Sequence, residues 1–217
     1  MSDSYKFLYE SGQGEIVEKK SRFIGIARPV DTEEEALAYI EELKKKYWDA
    51  RHRCFAYVIG EKMELQRFSD DGEPQGTAGK PILDVLLGEQ VHNALIVVVR
   101  YFGGTLLGTG GLVRAYGQSA KAGLENSIIL EKQKGILLQI STDYNGIGKI
   151  QYLLGQRQLD IWNSDYGENV VIEVPVPIGE VDTVMAEITE ATSARAELNK
   201  AKEICFAKYK KDILMFD

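Results

Sequence analysis

Cysteine and histidine are scarce in this chain: two of each in 217 residues. Cys54 and Cys205 stand far apart, which excludes a disulfide framework. Two histidines and two cysteines also make a poor zinc set, and no metal or cofactor is expected. No apolar run approaches the roughly 18 residues needed to cross a bilayer. The opening Met1-Ser2-Asp3-Ser4 lacks the basic-then-apolar order of a secretion signal. The expectation is a cytoplasmic protein with no membrane partner. Excess positive charge is missing as well: 26 Lys and Arg face 33 Asp and Glu, a net charge of −7. Neither side of residue 133 is basic. Non-specific DNA binding depends on cations that neutralise phosphates, so bulk DNA binding is not expected. Repeats and low-complexity stretches are absent too.

What remains is ordinary in composition, 44% hydrophobic and 27% charged, and long enough for one domain or two. Glu15 to Val30 alternates Phe23, Gly25 and Ala27 against Ile24 and Ile26, the pattern of a strand. Asp31 can cap a following helix whose first turn is acidic, whose apolar stripe is Ala36, Leu37, Ile40, Leu43 and Tyr47, and whose end is Lys44-Lys45-Lys46. Arg51 to Ile59 reads as a strand with Glu64 to Phe68 as its hairpin partner. A helix from Pro81, an apolar strand from Ala94 to Val99 and a helix from about Gly111 to Asn126 follow. The second half reads as strand (Gly135–Thr142), helix (Asp143–Gln156), strands (Gln158–Asn163 and Val170–Val176), helix (Val181–Thr192) and a last strand within Ala196–Ala207. That β-α-β-β-α-β order is the split arrangement of ferredoxin-like domains. The fold class is therefore α+β in two domains, 1–133 and 134–217.

Ten of the 21 glycines fall between Gly72 and Gly117. Glycine-rich loops are costly to order, so their concentration marks places of close backbone approach. Between Gly103 and Gly111 the loop leads from Arg100 into a helix that Thr109 can cap, with Arg114 in its first turn. A helix N-terminus offers free amides and a positive dipole end, so Gly103, Gly104, Gly108, Thr109, Gly110 and Gly111 could cradle a phosphate or carboxylate. Equally, they could serve tight packing of helix on sheet. The spacing matches neither common nucleotide loop. Pro74 stands where the first glycine of a Walker loop before Gly79-Lys80 belongs, and Val113 where the last glycine of Gly-x-Gly-x-x-Gly belongs.

Asp70, Asp71 and Glu73 could ligate Mg²⁺ through carboxylates, although an Asp-Gly turn is the simpler account. His52 and Cys54 share one face of a strand, about 6.5–7 Å apart by the rise per residue. That is long for a nucleophilic pair, which also needs an orienting third group. No set of catalytic residues assembles, and Lys80, Arg100 and Arg114 are left as candidate anion contacts.

These same residues resemble the signature of the IMPACT family, in its bacterial two-domain branch. The resemblance runs through Gly79, Ile82-Leu83, Leu86, Val91, Val97-Val98, Arg100, Tyr101-Phe102, Gly103-Gly104 and Leu107-Gly108. Flanking it are Asp70-Asp71-Gly72-Glu73-Pro74, Gly76-Thr77-Ala78 and Gly110-Gly111-Leu112-Val113-Arg114-Ala115-Tyr116. It covers residues 15 to 126 and departs at Arg51, where a small hydroxyl residue is expected before the histidine. The resemblance implies an N-terminal βαβ domain similar to domain 2 of a small-subunit ribosomal protein, to domain IV of elongation factor G and to GHMP kinases. The C-terminal domain would be similar to the last domain of elongation factor G. Both comparisons point towards RNA or the translation machinery, and the expectation is a non-enzymatic translation-linked regulator or binding protein whose partner is RNA, the ribosome or a translation-associated protein. The alternative is an enzyme or binding protein for a phosphorylated small molecule, held by the Gly103–Gly111 loop.

Overall fold

The structure, a computed structural model, describes residues 4–216; the segment 1–3, read above for a leader, and residue 217 lie outside the described residues. The chain forms two compact units, one of Tyr5–Leu130 and one of residues 131–216 with Ser4.

The first unit contains β1 (Ser4–Glu10), β2 (Gly12–Glu18), β3 (Ser21–Pro29), α1 (Glu33–Lys46), β4 (His52–Ile59), β5 (Leu65–Ser69), α2 (Gly79–Glu89), β6 (Val91–His92), β7 (Ala94–Tyr101) and α3 (Gly108–Glu125). Five strands make an antiparallel sheet in the order β2-β3-β7-β4-β5, while β1 pairs in parallel with β6. Because side chains alternate along a strand, β7 divides cleanly. Ala94, Ile96 and Val98 enter a core under α2 and α3; Leu95, Val97 and Val99 enter a second core under α1. The strand is apolar throughout because both of its faces are covered.

The strand expected from Glu15 to Val30 is two strands, joined at Lys19 and Lys20, both with positive φ. The cap of α1 is Thr32, not Asp31: Thr32 is extended and its Oγ1 accepts the Glu35 N–H at 3.2 Å. Asp31 instead accepts from the Asn93 side chain at 2.8 Å. Gly25 lets α3 lie directly on β3, since a Cβ there would stand 1.9 Å from the Ser119 carbonyl oxygen.

In the second unit β8 (Ile128–Thr142), α4 (Ile147–Gln156), β9 (Asn163–Tyr166), β10 (Val170–Pro177), α5 (Val181–Thr192), β11 (Glu197–Tyr209) and β12 (Asp212–Phe216) follow in order. The strands lie β12-β11-β8-β10-β9, all antiparallel. One core takes Leu138 and Ile140 of β8, Ile150 and Leu154 of α4, Ile172 and Val174 of β10, and Val184 and Ile188 of α5. The β-α-β-β-α-β order is present, with β12 as an added hairpin strand. The strand expected at Gln158–Asn163 sits later, at β9. Gln158 takes φ +56°, and the Leu159 N–H donates back to the Leu154 carbonyl at 2.9 Å. Those residues close α4 and cannot extend in a sheet.

Candidate functional site: a buried arginine–glutamate pair beside the glycine loop

Strand parity assembles the site. Arg100 continues the Ala94, Ile96, Val98 face of β7, and it is paired with Phe23 of β3 and His52 of β4. Ser21 shares the parity of Phe23, and Cys54 that of His52. All five side chains therefore face α3, where Tyr116 sits on the buried stripe Leu112, Ala115, Tyr116, Ala120.

Glu73 arrives from the loop between β5 and α2, and Asp70 shapes that loop. Its carboxylate accepts the N–H groups of Gly76 at 2.8 Å, Ala78 at 3.0 Å and Gly79 at 2.8 Å. Two of these belong to the start of α2, so Asp70 acts as a cap reaching in from outside the helix. Asp71 accepts the backbone N–H of Arg53 at 2.7 Å, and its carbonyl bonds His52 Nδ1 at 2.7 Å. That acceptor places the proton of the neutral ring on Nδ1 and turns Nε2 towards Glu73, 3.8 Å from Oε1.

Arg100 and Glu73 are almost wholly buried and form an ion pair through Nη1 and Oε1. The Tyr116 hydroxyl donates to the same oxygen at 2.8 Å. Arg100 Nη2 reaches Ser21 Oγ at 3.5 Å, its guanidinium lies 5.3 Å from the Phe23 ring centroid and 5.6 Å from that of Phe102, and its Nε has no partner. A charge removed from water this completely requires its counter-ion. Burial pushes the Cys54 thiol and the Tyr116 hydroxyl well above their ordinary ranges. Cys54 is accordingly held as a thiol, donating to the Asp70 carbonyl at 2.9 Å.

The glycine loop closes over this pair. The Gly103 N–H donates to Ser21 Oγ at 3.1 Å, and a Cβ on Gly103 would stand 2.0 Å from the Lys20 carbonyl carbon, so this glycine serves packing. Gly104 and Gly108 have positive φ. The helix starts at Gly108 with Leu107 as its cap and no side-chain bond. This corrects two expectations: Thr109 lies inside α3 and does not cap it, and Arg114 lies in the second turn, exposed. Beyond the loop a cavity of about 340 Å³ is lined by Arg51, His52, Glu73, Arg100, Phe102, Gly108 and Thr109 among others.

Of the residues read from the sequence, the structure brings together Arg100, Glu73, His52, Cys54 and the loop from Gly103 to Thr109. Gly110 and Gly111 follow in the first turn of α3. Lys80 does not line the cavity; it is exposed on α2 and paired with Asp84. Tyr101 points to the opposite sheet face, where its hydroxyl donates to Asp49 at 2.9 Å. No trio of His, Cys, Asp or Glu among the described residues is placed to share a metal ion. Ser21 has no place among the residues read from the sequence and Tyr116 enters there only as the end of a flanking motif; strand parity and the helical stripe are the signals that mark both. A further hollow of about 590 Å³ in the second unit, lined by Tyr152, Leu153, Arg157 and Glu187 among others, is crossed by an Arg157–Glu187 ion pair.

Fold and site together define a two-unit α+β protein in which an arginine beside a glycine loop is locked to a buried carboxylate. The Impact N-terminal domain family matches residues 19–124, and a domain of unknown function (DUF1949) matches residues 140–195. The chain is 41% identical to the IMPACT family member YvyE of Bacillus subtilis (strain 168) over 93% of both chains. It is 40% identical to YigZ of Escherichia coli (strain K12) over 85% of this chain and 92% of that one. A solved structure described as that of an hypothetical protein superposes with a TM-score of 0.59 at 36% identity, covering 93% of this chain and 99% of the other. The chain belongs to the IMPACT family.

Proposed function

We propose that the chain is a non-catalytic binding protein of the translation apparatus, acting in the cytoplasm, and that RNA is what its N-terminal unit takes. One observation carries this reading. Most groups that could serve as acid, base or nucleophile are engaged internally: Glu73 with Arg100 and Tyr116, Asp70 with three amides, Cys54 as a buried thiol, and His52 through Nδ1 to the Asp71 carbonyl. The rim, by contrast, presents Arg51, Phe102, Leu106, Gly108 and Thr109, all exposed. Such a rim supports contact with a partner and offers no chemistry. We extend the proposal to the domains, 1–133 similar to the ribosomal-protein domain 2 fold and 134–217 ferredoxin-like. The spatial order β11-β8-β10-β9 supports the second comparison.

Co-sedimentation with ribosomes and mobility shift with RNA at rising salt test the proposal. Binding that weakens with salt is expected; no binding to either at low salt overturns it. A second reading, a phosphorylated small molecule in the 340 Å³ cavity, is favoured by the orphaned Arg100 Nε beside the start of α3. It predicts a thermal shift with nucleotides.

A further inference from the structure

One end of the five-stranded sheet carries aromatic and cationic side chains together. Residues 44–53, Lys-Lys-Lys-Tyr-Trp-Asp-Ala-Arg-His-Arg, hold five Lys and Arg against one Asp. They run from the last turn of α1 into β4. Three contacts fasten this segment to the end of β7: the Arg51 N–H donates to the Arg100 carbonyl at 3.1 Å, the Tyr101 hydroxyl to Asp49 at 2.9 Å, and the Arg51 guanidinium lies 5.3 Å from the Phe102 ring centroid. Trp48 is 79% exposed and Phe102 38% exposed. A tryptophan so exposed costs apolar hydration and contributes nothing to the core.

The charges here are unevenly spent. Lys44 pairs with Glu41 and Arg53 with Asp71, and Asp49 accepts the Tyr101 hydroxyl. Lys45, Lys46 and Arg51 carry no ion pair among the described residues. Free cations beside exposed aromatic faces are what a single-stranded nucleic acid uses: phosphates meet the cations and unstacked bases lie on the rings. A folded protein surface would need matching acidic and apolar relief instead. The net charge of −7 is no obstacle, because screening over about 8–10 Å makes the local charge decisive.

We propose that this end of the sheet is a single-stranded RNA platform, with Trp48 and Phe102 stacking bases and Lys45, Lys46 and Arg51 holding phosphates. The proposal rests on the RNA-binding reading above and assigns its surface.

Trp48 and Trp162 are the chain's two tryptophans, and Trp162 belongs to the other unit. The full-length W162F variant therefore reports on Trp48 alone. Titration with an unstructured eight-nucleotide oligo(A) RNA should quench its emission, and a blunt RNA duplex of equal length should not. In mobility shift, W48A should bind the oligomer roughly ten-fold more weakly or worse, while W48F retains most of the affinity. Unquenched Trp48 in a protein that binds the oligomer, quenching by duplex equal to that by single strand, or unchanged affinity in W48A overturns the platform and leaves the RNA reading standing. Failure of the wild-type chain to bind RNA in any form overturns both.

Discussion

Two arginines one strand apart meet opposite fates. Arg100 lies under α3, neutralised by Glu73 and stacked between Phe23 and Phe102. Arg51, whose N–H donates to the Arg100 carbonyl, is exposed, its guanidinium 5.3 Å from the Phe102 ring centroid. The interior pair holds the glycine loop and the Asp70–Glu73 loop in place. The exterior cation is free to meet a partner. A charge that looks like part of a binding site in sequence can thus belong to the framework, while a neighbouring charge stays exposed.

This contrast is broken most severely from inside. Arg100→Ala or Glu73→Ala leaves an uncompensated buried charge and should cost about 3–5 kcal/mol in equilibrium urea unfolding. The double variant Arg100→Met/Glu73→Leu should recover much of that. Asp70→Ala strips a carboxylate from three amides and should cost about 2–3 kcal/mol by the same measurement. Alkaline pH probes the buried hydroxyl and thiol next. Their folded-state values are raised, so their contribution is complete below the unfolded values near 8.5 and 10 and is lost as pH rises through the folded ones. Stability should fall by roughly 1.4 kcal/mol per pH unit for each group above its unfolded value, and Cys54→Ala should flatten the first part of that decline. Smallest of all, Trp48→Ala should shift stability by no more than about 0.5 kcal/mol, which separates it from every interior change.

Much of the frame was legible in sequence. The unbroken apolar run from Ala94 to Val99 marked a buried strand, and the 3.6-residue stripe from Ala36 to Tyr47 marked α1. The β-α-β-β-α-β order of the second half was readable because its periodic segments are long. The site was legible in residues but not in roles. Arg100, Glu73, His52 and Cys54 come from three separate segments, and only the register of β4 on β7, set by hydrogen bonds between residues some 48 positions apart, puts them on one face. Asp70 was readable as a metal ligand or a turn; its actual work, capping α2 from nine residues away, depends on a loop path that no local pattern encodes. Thr109 failed as a cap because α3 begins earlier, at Gly108, whose positive φ suits the chain's entry to the helix. Trp48 carried no signal until its exposure was known.

The division of labour between interior and exterior charge is tested most directly by salt. Each phosphate neutralised on a single strand contributes about −0.7 to the slope of log K against log salt. The triple variant Lys45→Ala/Lys46→Ala/Arg51→Ala should bind oligo(A) RNA with a slope shallower by about 2, at an unfolding midpoint close to that of the wild-type chain. An unchanged slope would show that the free cations at the end of the sheet do not meet the RNA, and would contradict the account.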